Sequence, residues 1–284
     1  MYVCTVLLNK NQMKRSILFS VFSLLFCLCT YGQSFKADFS AALKAKDMVK
    51  AEKILETWDF ADANDSELYI AYFNFYTVKS LEKDSTLYEK EYTDKALSFI
   101  SEGIERFPTR FDMRMGKIYM LGRIKEYSAY TDEVINLINY SVKIDNNWKG
   151  DGFKLLDRPV EMFEDAVLEF QGRLFADNDA LLYNNIIQIS NEMLKCYPYN
   201  TQSRISLSTI YIKQKEYDKS LDILQKALEM DKNNPIVSYN LAHVFGLKGD
   251  IVNAKKYFEL TVVNAEGKEE KLKSIAQKQL ESMN

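Results

Sequence analysis

Shifting the chain by 34 residues lays one C-terminal segment on the next, and this self-similarity restricts the fold more than any other feature of the sequence. Leu207 falls on Leu241, Ser208 on Ala242, Tyr211 on Phe245, Ser220 on Ala254, Leu224 on Phe258 and Ala227 on Thr261. Each position keeps its size class: large apolar, small, aromatic, small, large apolar, small. Two antiparallel helices joined by a tight turn produce such a pattern. Small residues let the two backbones approach along a seam, and large ones fill the space on either side. Lys215 falls on Gly249 at the turn, where glycine readily adopts a left-handed backbone. Apolar residues recur at helical intervals from Phe35 onward. Only 10 glycines and 4 prolines in 284 residues leave little punctuation for hairpins or long linkers.

The stretch Tyr211 to Asp231, YIKQKEYDKSLDILQKALEMD, resembles the tetratricopeptide repeat, and so does the following copy, Pro235 to Asn264. The resemblance implies an all-α fold, a right-handed superhelical stack of about six helix pairs in which the first helix of each pair lines a concave groove. The clearest repeats cover 201–234 and 235–264. Residues 267–282, with Leu272, Ile275, Ala276 and Leu280 on one face, read as a C-terminal capping helix. Upstream the copies decay but persist. Asp47–Leu55 reads as a second helix, and Ser66–Lys79 as the next first helix with Asp65 or Ser66 as its N-cap. Asp94 to Phe107 is another second helix, and 111–144 and 160–197 are two further pairs. Residues 80–92 and 145–159 interrupt the period. The second is the only long loop-like stretch, read either as a functional insertion or as a kink in the stack.

The family has no common chemistry, so the resemblance implies binding of another protein or peptide. Its groove positions fall on Gln202, Ile205, Ser206 and Thr209, then on Ile236, Tyr239, Asn240 and His243. Members that grip the acidic C-terminus of cytosolic chaperones carry lysine, arginine and asparagine at such positions. Only Asn240 fits that set. The candidate partner-binding groove is therefore Gln202, Thr209, Tyr239, Asn240 and His243, mixed polar and aromatic, with the 145–159 segment as the alternative surface. Tyrosine would supply contact area, Asn240 would bond a partner's backbone, and His243 would bring pH sensitivity.

The N-terminus reads as a leader rather than as part of this array. Lys14 and Arg15 precede a mainly apolar run, Ile17–Cys29, followed by Thr30-Tyr31-Gly32. A membrane span needs about 20 apolar residues, more than this run supplies. Residues 1–32 are expected to be a signal peptide, with Met13 a natural start and 1–12 a start-site artefact. Residues 33–284 form the helical array, with no transmembrane segment after cleavage. Phe26 and Leu28 precede Cys27 and Cys29 where a lipoprotein signal needs a small residue, which argues against lipidation. The expected location is periplasmic or secreted. The chain has 37 basic and 40 acidic residues; Lys10, Lys14 and Arg15 leave with the leader, so 34 stand against 40 in the body. Such a mildly acidic body has no electrostatic reason to seek nucleic acid.

Catalytic and metal chemistry find little footing. Cys196 is the one cysteine beyond the leader, at helical spacing from Ile189 and Met193, and is expected to be a buried structural thiol rather than a disulfide partner. His243 is the sole histidine, which leaves no second one for a zinc site or a histidine-based triad. No glycine-rich phosphate loop precedes a helix. Asp145, Asn147, Gly150 and Asp151 suggest a calcium loop, but Lys149 stands at a ligand position and Leu156 where the closing acid belongs. Glu161, Asp165 and Glu169 recur every four residues as a solvated stripe. Tyr69, Tyr72, Phe73 and Tyr76 share one face of a helix whose Phe75 points elsewhere, which is either core packing or a tyrosine-lined groove. The expectation is a non-enzymatic scaffold with no cofactor and no metal site. The alternatives are an outer-membrane assembly or transport subunit and a non-catalytic component of an envelope enzyme complex.

The leader generates a direct test. Cleavage is expected close to Gly32, so the intact mass of envelope material should lack residues 1–32. A mass that retains residues 14–29 would indicate an anchored form instead.

Overall fold

A computed structural model describes residues 34–81, 88–177 and 179–283 of the chain. The expected signal peptide, the lipidation question and Cys4, Cys27 and Cys29 lie outside the described residues. Among the described residues the helical spacing becomes thirteen α-helices, with no strand beyond two isolated bridges at Lys149. They are α1 Ser34–Lys44, α2 Met48–Ala61, α3 Ser66–Ser80, α4 Lys90–Arg106, α5 Phe111–Arg123, α6 Tyr127–Lys143, α7 Pro159–Ala176, α8 Tyr183–Cys196, α9 Thr201–Lys213, α10 Tyr217–Met230, α11 Pro235–Leu247, α12 Ile251–Ala265 and α13 Glu270–Ser282. Short 3-10 turns stand at Asp151–Phe153 and Ala180–Leu182. Consecutive helices pack as pairs: α1 with α2, α3 with α4, α5 with α6, α9 with α10 and α11 with α12. The terminal α13 packs on α12 and touches α11. Two compact units divide within α7, between Ala166 and Val167.

Four of the turns inside pairs share one construction. Lys46, Lys125, Lys215 and Gly249 have positive φ of 57°, 62°, 62° and 78°. In each turn the next residue's N–H reaches back five positions: Asp47 to Ala42 O (3.0 Å), Glu126 to Leu121 O (3.0 Å), Glu216 to Tyr211 O (2.8 Å) and Asp250 to Phe245 O (2.9 Å). This bond closes the last turn of the first helix and satisfies a carbonyl that would otherwise be orphaned. The same acidic residue then stands at the N-cap of the second helix. Asp47 Oδ1 accepts from Lys50 N at 3.0 Å and Asp250 Oδ1 from Asn253 N at 3.1 Å. A left-handed backbone costs lysine about 1–2 kcal/mol, which glycine at 249 avoids.

The small residues line the seams. Ala51, Ala96, Ala227 and Ala254 are fully buried, and so are Ser220 and Thr261. The hydroxyls that must be buried there find each other: Ser208 Oγ lies 2.9 Å from Ser220 Oγ, and Thr261 Oγ1 donates to Ser238 Oγ at 3.1 Å. Closest of all is Gly103 of α4, where an added Cβ would stand 2.9 Å from Tyr69 Cβ. The aromatic face of α3 is divided between two cores. Tyr69 and Phe73 join Ala96, Ile100 and Met113, while Phe75 joins Leu55, Trp58 and Phe39 on the other side. Tyr72 and Tyr76 stay half-buried and stack on Phe99 of α4 at 4.2 and 5.6 Å.

The two expected interruptions differ from their sequence outlines. Residues 90–92 are already helical, so the break after α3 ends at Glu89. The 145–159 segment is neither a solvated loop nor a simple kink. Trp148 is fully buried, its Nε1 donates to Ser141 Oγ at 3.0 Å, and its ring meets Phe111 (5.4 Å) and Tyr140 (5.7 Å). The backbone of Lys149 bonds both Thr109 O and Phe111 N at 2.9 Å. One buried indole thus straps the segment across the α4–α5 turn.

Burial of Ala227 and exposure of Lys232 set up a comparison of substitutions. Ala227→Arg should destabilise by ~1–3 kcal/mol or more, because a long cation must be buried or must part α10 from its neighbours. Lys232→Ala should stay within about 0.5 kcal/mol. Thermal denaturation of both variants checks this, and equal midpoints would contradict the register of the repeat.

Candidate functional site

The predicted groove residues occupy two helices that touch, α9 and α11. Gln202 is exposed at the start of α9. Tyr239 is half-buried, its ring edge-on to Phe258 at 5.6 Å, and burial pushes its hydroxyl pKa up. His243, one turn further along α11, is also half-buried. The other two turn inward. Thr209 is 9% exposed and its Oγ1 donates to Ile205 O at 2.9 Å, the usual fate of a threonine inside a helix. Asn240 is 1% exposed, and its Nδ2 has no acceptor among the described residues. A buried amide in that state costs about 1–3 kcal/mol, and it cannot reach a partner's backbone in this conformation. The accessible part of the set is therefore Gln202, Tyr239 and His243.

The 145–159 segment ends in a charged junction. Asp151 Oδ1 lies 2.9 Å from Lys36 Nζ, which also bonds Glu67 Oε2 at 2.9 Å. Glu67 Oε1 stands 2.6 Å from Arg110 Nη1, and fully buried Arg110 grips Asp112 with Nε and Nη2 at 2.9 and 2.7 Å. Burial opposes the charge on Arg110, but the bonds to Asp112 and Glu67 outweigh it and hold the pKa above its ordinary value. For Glu67, burial wins and raises the carboxyl. Asp151 is thus committed to a lysine, and no group of His, Cys, Asp or Glu able to hold a metal occurs among the described residues. Glu161, Asp165 and Glu169 are exposed along α7. Cys196, expected to be buried, is half-buried because it ends α8, and burial still pushes its thiol up.

A surface that the sequence reading did not single out lies between α4, α5 and α6. Arg114 and Lys117 of α5 and Glu133, Asn136, Tyr140 and Lys143 of α6 line an open cleft of about 430 Å³. The signal was present as polar residues at helical spacing, 133, 136, 140 and 143. It resembles a solvated face unless the burial of Arg114 is known.

Residues 209–249 match the family model described as TPR repeat. That segment of the chain carries a tetratricopeptide repeat. The match spans the end of α9 and all of α10 and α11, and so includes Thr209, Tyr239, Asn240 and His243. No curated protein matches the sequence. Similar solved structures include SycD, a type III secretion translocator chaperone of Yersinia enterocolitica: 14% identity over 43% of this chain and 84% of that one, TM-score 0.39. YrrB, a TPR protein with an unusual peptide-binding site, is 14% identical over 79% and 97%, with a TM-score of 0.42. MamA from Desulfovibrio magneticus RS-1 is 12% identical over 70% and 97%, with a TM-score of 0.37. Among the described residues no helix is long and apolar enough to cross a membrane.

His243 makes the α11 surface testable by pH. Burial lowers its pKa, so the imidazole is neutral at pH 7 and its switch lies on the acid side rather than near neutrality. The unfolded chain takes up this proton near pH 6.5, before the folded chain does. The stability from the neutral imidazole is therefore complete above that pH and declines as pH falls toward the folded pKa. Denaturant midpoints measured from pH 7.5 down to pH 5 should fall less steeply in His243→Gln than in the parent protein.

Proposed function

We propose that the chain is an extracytoplasmic scaffold that holds a segment of another protein or a peptide against α9 and α11, without catalysing a reaction. The repeat match at 209–249 supports the reading, because Tyr239 and His243 fall within the matched segment. Tyr239 offers a rigid ring with a polar tip, and Gln202 adds donors and acceptors at the exposed end of α9. Packing suits this role. Tyr239 is backed by Phe258, so an incoming side chain would meet a fixed ring rather than a mobile one. The extracytoplasmic part of the proposal rests on the basic head and short apolar run that precede the array.

In-cell crosslinking followed by mass spectrometry identifies the partner, and the double substitution Tyr239→Ala with His243→Ala tests the surface. A loss of about 2 kcal/mol, roughly thirtyfold in affinity, is expected for a central aromatic anchor and its neighbour. Unchanged affinity in a double variant with a native helical signal would remove α11 from the interface.

A further inference from the structure

The cleft between α4, α5 and α6 holds a cation that the fold leaves incompletely matched. Arg114 is 6% exposed, yet its nearest carboxylate oxygen, Glu133 Oε1, stands 3.6 Å from Nη1. Glu133 is shared, because its Oε2 lies 2.9 Å from Lys117 Nζ. Nε of Arg114 donates to Pro108 O at 3.3 Å. Desolvation prevails at this guanidinium and lowers its pKa, the opposite of the outcome at Arg110. The ring of Tyr140 positions the charge: Arg114 lies 4.5 Å from its centroid and Lys143 Nζ 5.4 Å. Trp148 supports the guanidinium from a second side at 5.7 Å. A planar cation held by two rings is a fixed fork, suited to a planar pair of oxygens.

We infer that this cleft takes a carboxylate from an acidic segment of a partner protein. The charge balance selects that chemistry. Arg114, Lys117 and Lys143 line the cleft together with Glu105 and Glu133, which leaves one positive charge. A single carboxylate neutralises it, whereas a phosphate dianion would overshoot. The open cleft admits a chain segment, and exposed Asn136 on its rim can pair with that segment's backbone. This site lies on other helices than the α9–α11 surface and does not depend on it.

Isothermal titration of the full chain with an end-blocked hexaglutamate peptide tests the assignment, with the hexaglutamine peptide as control. The glutamate peptide should bind, the glutamine peptide should not, and added salt should weaken the complex. Lys117→Gln and Lys143→Gln, both at positions where solvent reaches, should each weaken binding by about tenfold. Glu133→Gln should tighten it, because the ligand no longer competes with an internal carboxylate; a purely structural role for these residues predicts no such gain. Equal binding of the two peptides, no heat with either, or unchanged affinity in a natively helical Lys117→Gln protein would overturn the inference. Displacement of the peptide by inorganic phosphate at lower concentration than by succinate would overturn the carboxylate assignment. Each of these failures leaves the α9–α11 reading standing, since none of the substituted residues lies on those helices.

Discussion

The architecture depends on the left-handed residue that ends the first helix of a pair. At Lys46, Lys125, Lys215 and Gly249 one reversal of φ folds the chain back, and the bond from the following acidic residue locks it. With the turn fixed, the second helix must run antiparallel to the first and close to it. Only then do Ala51, Ser220, Ala227 and Ala254 acquire their purpose, since a larger side chain at any of them would hold the backbones apart. The seam carries its own polar account. Serine and threonine fit where alanine fits, and they are tolerated because Ser208 meets Ser220 and Thr261 meets Ser238.

Two buried arginines on α5 and its cap show how much a partner's geometry matters. Arg110 is fully enclosed and stable as a charge because Asp112 meets it bidentately and Glu67 and Ser66 take what remains. Arg114 is almost as enclosed but shares one distant carboxylate with a lysine. Desolvation costs are similar for both, several kcal/mol per ion, and only the first is well offset by protein groups. The first charge serves the fold, and the second faces an open cleft.

The repeats 201–264 were legible because helical spacing and size class recur there at a fixed shift, and the turn residue Lys215 aligned with Gly249. The same turn at Lys46 and Lys125 was harder to see. Lysine in a left-handed position looks like any surface lysine, although the acidic residue that follows each one is a usable mark. The groove set was legible only by position. Sequence placed Thr209 and Asn240 on helices of adjacent repeats but not which way they turn, because a rotation of about one residue separates a lining position from a packed one. The 145–159 segment reads in sequence as a functional insertion or a kink, and its many polar residues hid that it closes over a buried tryptophan. A single tryptophan outweighed them, as burial of one indole exceeds what several solvated asparagines and aspartates resist.

The strap gives the first unit a topology unlike a plain array. In stacked repeats each pair contacts its neighbours alone, so folding can begin anywhere and spread. Here Lys36 of α1 is bonded to Asp151, 115 residues away in sequence, through the charges that also hold Arg110. That closure ties the first helix to the last turn before α7, and its entropy must be met before the junction can form. The N-terminal unit consequently gains cooperativity and loses speed, whereas the repeats from α9 onward keep the local contacts of a chain that can zip.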